Sequence, residues 1–374
     1  MSNRLGIGVI AALTAFSNSG CESGPAGTVE DLTVWRYPAE NLFLGDPAGD
    51  HDRVYIAVAD TLIALSQESG LPVWKALPTM GERISTASLA VDGGVVYGQS
   101  GGKVFAYSAS SGREIWITDL FPAFGPAYPG SAVALGQTSV YASSGAGEIY
   151  SLDRLTGTIQ WHTTVHPRPR GVIEASDMVC VSSDARFSET PQGMVTCLSK
   201  SSGEESWRYE VPDTDEQGKR LCHEGGIAGP PAYEDGLLFF GDQCGHLVSL
   251  RSETGEVVWI RRFNTAFDAS VILDPPSGYT CTRTTECISF DLASGALRWQ
   301  SSLRGSARDA PVLDGNVLYV ADIGGYLYRL EVITGQILQT LSPLGEHLFF
   351  SRRPVVGADL IFSGGGRYYV ALKK

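Results

Sequence analysis

Seven times along this 374-residue chain a Ser or Thr precedes a Gly, and four residues after that Gly stands an anchor. SGLPVW reaches Trp74, SGREIW Trp116, TGTIQW Trp161, SGEESW Trp207, TGEVVW Trp259, SGALRW Trp299 and TGQILQ Gln339. Successive anchors lie 42, 45, 46, 52, 40 and 40 residues apart. Self-similarity at such a period marks one supersecondary unit that buries its apolar face only against copies of itself. Length alone would suggest two domains; the repeat points to a single array.

Within each unit the residues alternate apolar and polar with turn signals every eight to twelve residues, the signature of strands rather than helices. The unit reads as a small-residue strand (SAVAL, GIAGPPA, RDAPVL), then strands like VLYVAD and YLYRLEV, then the Trp-bearing strand. The Ser/Thr-Gly pair fits the turn between the third and fourth strands. There Gly takes a positive φ, and the hydroxyl bonds a nearby amide. Four strands in 40–45 residues make a β-propeller blade. The chain finishes with LIFSGGGRYYVALKK, only the second and third strands of a further unit, and EDLTVWRYP near the start supplies a fourth strand carrying Trp35. The expected fold is therefore all-β, an eight-bladed propeller closed by the N-terminal strand. A count of 44 Gly and 7 Trp then means turns and seam positions.

Residues 1–21 stand outside the repeat. Arg4 precedes an uncharged, largely apolar stretch from Leu5 to Phe16, too short to span a bilayer and shaped like a secretory signal. Asn18-Ser19-Gly20-Cys21 resembles a bacterial lipobox, with Asn18 where that motif has an aliphatic residue. Two readings follow: lipidation at Cys21, or ordinary signal cleavage nearby. Residues 1–21 are thus a targeting segment and 22–374 one propeller domain.

A formal net charge of −13 repels a phosphate backbone, so no nucleic-acid partner is expected. No GxSxG, phosphate-cradling loop, HExxH or EF-hand loop occurs in the sequence.

The pattern A-x-D-x-x-[ST]-G-x-x-x-W resembles the pyrroloquinoline-quinone-type propeller repeat with its tryptophan-docking motif. SLDRLTGTIQW and SFDLASGALRW are its best copies, with Asp153 and Asp291 at the acidic position, and the likeness runs through residues 29–374. It implies that Trp35, Trp74, Trp116, Trp161, Trp207, Trp259 and Trp299 pack between neighbouring blades as structural residues. Two branches share the repeat. Quinoprotein dehydrogenases are longer and carry a vicinal disulfide, a calcium site and a catalytic Asp. This chain has no Cys-Cys pair. It is more similar to short exported propellers of the BamB lipoprotein family, which are non-enzymatic and bind partner proteins through loops on one face. That resemblance implies no cofactor, no metal and no catalytic residue. It also implies a monomer anchored by lipid at the outer membrane, with an envelope partner such as a β-barrel assembly machinery. The alternative is a quinone-dependent or other small-ligand propeller using the central funnel. A polysaccharide binder gains no support from tryptophans that the repeat already uses.

Six cysteines besides Cys21 suit an oxidising compartment. Blade register sets Cys180 opposite Cys197 and Cys281 opposite Cys287. Cys222 enters blade five and Cys244 lies in a turn on the same face, giving a third bridge. The competing reading makes Cys222-His223 and Cys244-Gly245-His246 a zinc site; the bridge leaves both histidines exposed instead. His51, His162, His166 and His347 match no catalytic spacing.

Charged residues where the innermost strands begin are the candidate functional groups: Arg83, Arg170, Glu174, Glu224, Asp268, Arg308, Asp309, Arg352 and Arg353. Arginines around a funnel mouth suit acidic side chains, carboxylates or strand edges of a partner. A solvated rim of balanced charge is the plainer alternative. The long connection from Pro212 to Gly226 emerges on that face, where recognition concentrates on loops.

Overall fold

The computed structural model describes residues 32–38, 45–78, 88–100, 102–120, 132–165, 168–184, 193–212, 214, 222, 225–341, 353–365 and 368–374. Among these residues the chain forms eight four-stranded antiparallel sheets. Blade one spans Ala48–Ala76, blade two Leu89–Asp119, blade three Ala134–Thr164 and blade four Pro169–Glu210. Blade five spans Ala232–Arg262, blade six Ile272–Ser302 and blade seven Val312–Leu341. Blade eight takes its inner three strands from Val355–Lys373 and its outer strand from Thr33–Pro38. Trp35 pairs with Ala371 there, so the two ends of the chain share one sheet.

Innermost strands are shorter than the sequence suggests, two to four residues in seven blades and seven in blade four. Prolines at 230, 231, 311 and 354 remove ladder donors just where these strands begin. Second and third strands carry the core and are buried on both faces, as in the run Val54, Tyr55, Ile56 and Ala57 of blade one.

Each tryptophan sits at a bulge in the outer strand, opposite a small residue of the third strand. Trp74 faces Ala64, Trp116 Ala106, Trp161 Ser151, Trp259 Ser249 and Trp299 Ser289. The small partner leaves room for the indole to lie between an aromatic of its own blade and the next blade. Tyr55, Tyr97, Tyr141, Phe239, Tyr279 and Phe362 supply that aromatic, with centroids 5.7–6.1 Å from the indole. On the other side lies the Ser/Thr-Gly turn of the following blade. Every indole N–H donates to a carbonyl of that turn region, from Trp35 to Gln67 O at 2.8 Å through Trp299 to Val332 O at 2.8 Å. The turn hydroxyls accept from the amide two residues on, as Thr158 N to Thr156 Oγ1 at 3.3 Å. Asp153 and Asp291 cap the same turn through Thr156 and Ser294.

Blades four and seven depart from the scheme. Cys180 replaces the second-strand aromatic and bonds Cys197 directly across the ladder, with Cα atoms 4.1 Å apart. In blade seven Gln339 faces Arg329, whose Nη1 donates to Gln339 Oε1 at 3.2 Å while the guanidinium stacks over Tyr319. The vacancy has a physical reason. A tryptophan here would need the third-to-fourth-strand turn of blade eight, and those two strands come from opposite ends of the chain.

Candidate functional site

Inner strands rich in Ala, Gly, Pro and Val, short in every blade but the fourth, leave an open channel on the ring axis. Its mouth is a cavity of about 590 Å³ lined by charged residues from five blades: Asp46, Arg170, Asp268, Arg308, Asp309 and Arg353. A second lobe of about 560 Å³ continues down the axis past Ala48, Ala90, Ala134, Val312 and Val355. Asp46, Arg170 and Arg353 border both lobes.

The same face carries the turns between second and third strands, and these reach the mouth. Arg283 in the blade-six turn grips Asp268 in two hydrogen bonds, 2.9 and 2.7 Å, and Gln243 Nε2 adds a third at 3.3 Å. Burial works to raise the Asp268 carboxyl, yet the Arg283 bonds and charge, with the field of Arg308, hold it below the usual range. Arg170 Nε stands 4.0 Å from fully buried Asp184. Cys222 and Cys244, Cα atoms 5.0 Å apart, are bonded on this face, and Cys281–Cys287 closes the blade-six turn.

Five expected mouth residues, Arg170, Asp268, Arg308, Asp309 and Arg353, meet around this cavity. Arg83, Glu224 and Arg352 lie outside the described residues, as do Cys21, His166, His223 and His347. Glu174 does not belong to the mouth. It is the penultimate residue of the first strand of blade four and accepts hydrogen bonds from Tyr141 Oη at 2.7 Å, Lys200 Nζ at 3.0 Å and Gln137 N at 3.3 Å, in the seam with blade three. His246 is 6% exposed, not open to solvent as expected. Buried Asp242 accepts from its Nδ1 and its backbone amide, both at 2.9 Å, which turns the ring inward. Sequence reading missed Asp46 and Arg283. Asp46 stands two residues before Ala48 just as Arg170 and Arg353 stand two before Val172 and Val355, a spacing that would have found it.

Eight four-stranded blades around an axial channel, sealed by indole-on-glycine seams, define an eight-bladed propeller of the quinoprotein-repeat class. The chain belongs to the family described as outer membrane protein assembly factor BamB, whose sequence profile matches residues 31–209, 191–275 and 245–372. The BamB of Shewanella oneidensis is 24% identical over 384 aligned residues, covering 95% of this chain and 94% of that protein. The crystal structure of BamB from Moraxella catarrhalis superposes with a TM-score of 0.67 at 16% identity, over 91% of this chain and 99% of that one. A europium-containing methanol dehydrogenase shares the fold with a TM-score of 0.66 at 14% identity, over 90% of this chain and 85% of that enzyme.

Among the described residues no three His, Cys, Asp or Glu side chains converge to hold an ion. No two cysteines are adjacent in sequence.

Proposed function

We propose that this protein is a non-enzymatic scaffold of the cell envelope that serves outer-membrane protein assembly and docks a protein partner on its channel-mouth face. The end-to-end match to BamB relatives carries the reading, since 95% of this chain aligns with 94% of the Shewanella protein. The mouth supports the choice of face, because loops, two disulfides and a charged cavity gather there. Export and a lipid anchor at Cys21 complete the proposal.

Photo-crosslinkers at Ser270 and Ala310, two mouth positions, test it in intact cells. Recovery of a β-barrel assembly component is the expected result; recovery of abundant bystanders alone would overturn it. Cys21→Ser is expected to release the protein from the membrane fraction. Dehydrogenase activity or a quinone chromophore in the purified protein would instead favour the small-ligand reading.

A further inference from the structure

We infer that the channel mouth is a carboxylate site, in which Arg308 of blade seven and Arg353 of blade eight hold the anion and Asp46 of blade one takes a neighbouring N–H or O–H. All three residues line the same cavity of about 590 Å³ and come from consecutive blades.

Other charge pairs at the mouth are internal. Asp268 is taken by Arg283 and Gln243, and Arg170 faces Asp184. Arg308 and Arg353 differ: among the described residues neither makes a hydrogen bond or ion pair. Asp46 is half satisfied. Its Oδ2 accepts from Ser88 Oγ at 3.4 Å, whereas Oδ1 is buried with no partner. A buried acceptor without a donor costs stability that only a partner returns. Two guanidinium groups without a hydrogen-bond partner therefore line the cavity, the charge of Arg308 also acting on Asp268, and an acceptor without a donor lies buried in the cavity wall. The group that satisfies both is an anion with a donor beside it.

An Asp or Glu on an extended peptide has that form, its backbone N–H lying next to the carboxylate. So does a small free hydroxy- or amino-carboxylate. Guanidinium groups match the planar carboxylate in either case. The walls are Ala, Pro, Val and Ile around the axis, which focus the field of the two arginines in a chain of net charge −13. A cavity of this volume admits a loop tip or a small molecule, not a folded domain. The assignment of the carboxylate to a protein partner rests on the scaffold reading; the site itself does not.

Calorimetric titration of the full chain tests it with three probes: a blocked Gly-Ser-Glu-Ser-Gly peptide, its Gln counterpart, and glutarate. The Glu peptide is expected to bind roughly tenfold more tightly than the Gln peptide, with a similar loss in Arg308→Gln and Arg353→Gln. Unchanged melting curves of both variants exclude misfolding as the cause. Preference for the peptide assigns the carboxylate to a partner, and preference for glutarate assigns it to a free metabolite. Equal affinity for the Glu and Gln peptides, or full binding by the doubly substituted protein, overturns the site. Crosslinking reads the scaffold role separately: a captured assembly component without carboxylate binding defeats only this inference, and the converse defeats only the scaffold.

Discussion

Gly203 of blade four lies against the indole of Trp161 of blade three, so close that a Cβ there would fall 2.5 Å from the ring. Its φ is +72°, a conformation other residues adopt only under strain. The same contact recurs from Gly70 on Trp35 to Gly335 on Trp299, which makes these glycines as necessary to the seam as the tryptophans. Gly203→Ala should therefore lose about 2 kcal/mol or more, combining left-handed strain with overpacking. Denaturant unfolding measures this, and a midpoint equal to the parent's would refute it.

Gln339→Trp restores the repeat's consensus and should still fail to stabilise. No Ser/Thr-Gly turn stands in blade eight to receive the indole, and Arg329 would lose its Gln339 partner. The expected change is a loss of about 1–3 kcal/mol, as for other enlarged side chains in a packed site. A rise in melting temperature would show that the indole finds another seat.

Glu174 gives blade four a pH-dependent hold on blade three. Burial tends to raise its carboxyl, but hydrogen bonds from Tyr141, Lys200 and Gln137 and the Lys200 charge keep it below the ordinary glutamate range. A lowered folded-state value stabilises fully above the unfolded value of about 4.3 and fades as pH falls through the folded one. Glu174→Gln should thus cost clearly more stability at pH 7 than at pH 3.5. Equal losses at the two pH values in urea unfolding would count against it.

Removing the blade-four bridge with Cys180→Ala and Cys197→Ala should lower stability by about 3 kcal/mol, the chain-entropy value for so short a loop. The bridge joins residues 17 apart and lies fully buried in the seam beside Trp207. Thermal melting of the double variant checks this; a loss below about 1 kcal/mol would mean that seam packing, not the crosslink, holds the blade.

Much of this was legible in the chain itself because it depends on local spacing. Gly four residues before Trp fixes turn, strand and seam at once, and Trp35 without a preceding Gly announces the closing strand. Register places Cys180 on Cys197 for the same reason. What escaped depends on contacts between blades. Glu174 occurs in a strand whose start faces the channel, and only the neighbouring blade's Tyr141 shows that its far end is a seam. The second-strand aromatics beneath six of the indoles, such as Tyr141 beneath Trp161, are likewise set by packing across the blade, and Asp242 turns His246 inward within a single turn. The arginine-lined mouth was anticipated in part, but the aspartates that neutralise much of it were not all seen.

The pairing of Thr33–Pro38 with Tyr368–Lys373 also sets an order of events. The strand synthesised first is the last to find its neighbour. Until the final residues have emerged, its ladder groups stay open and blade eight lacks an outer wall. A chain shortened by its last dozen residues would lose not only its own strand but the purpose of the first. Such a product would expose unpaired edges at both ends of an open arc and invite aggregation, so this one joint reports whether every blade between its two strands is in place.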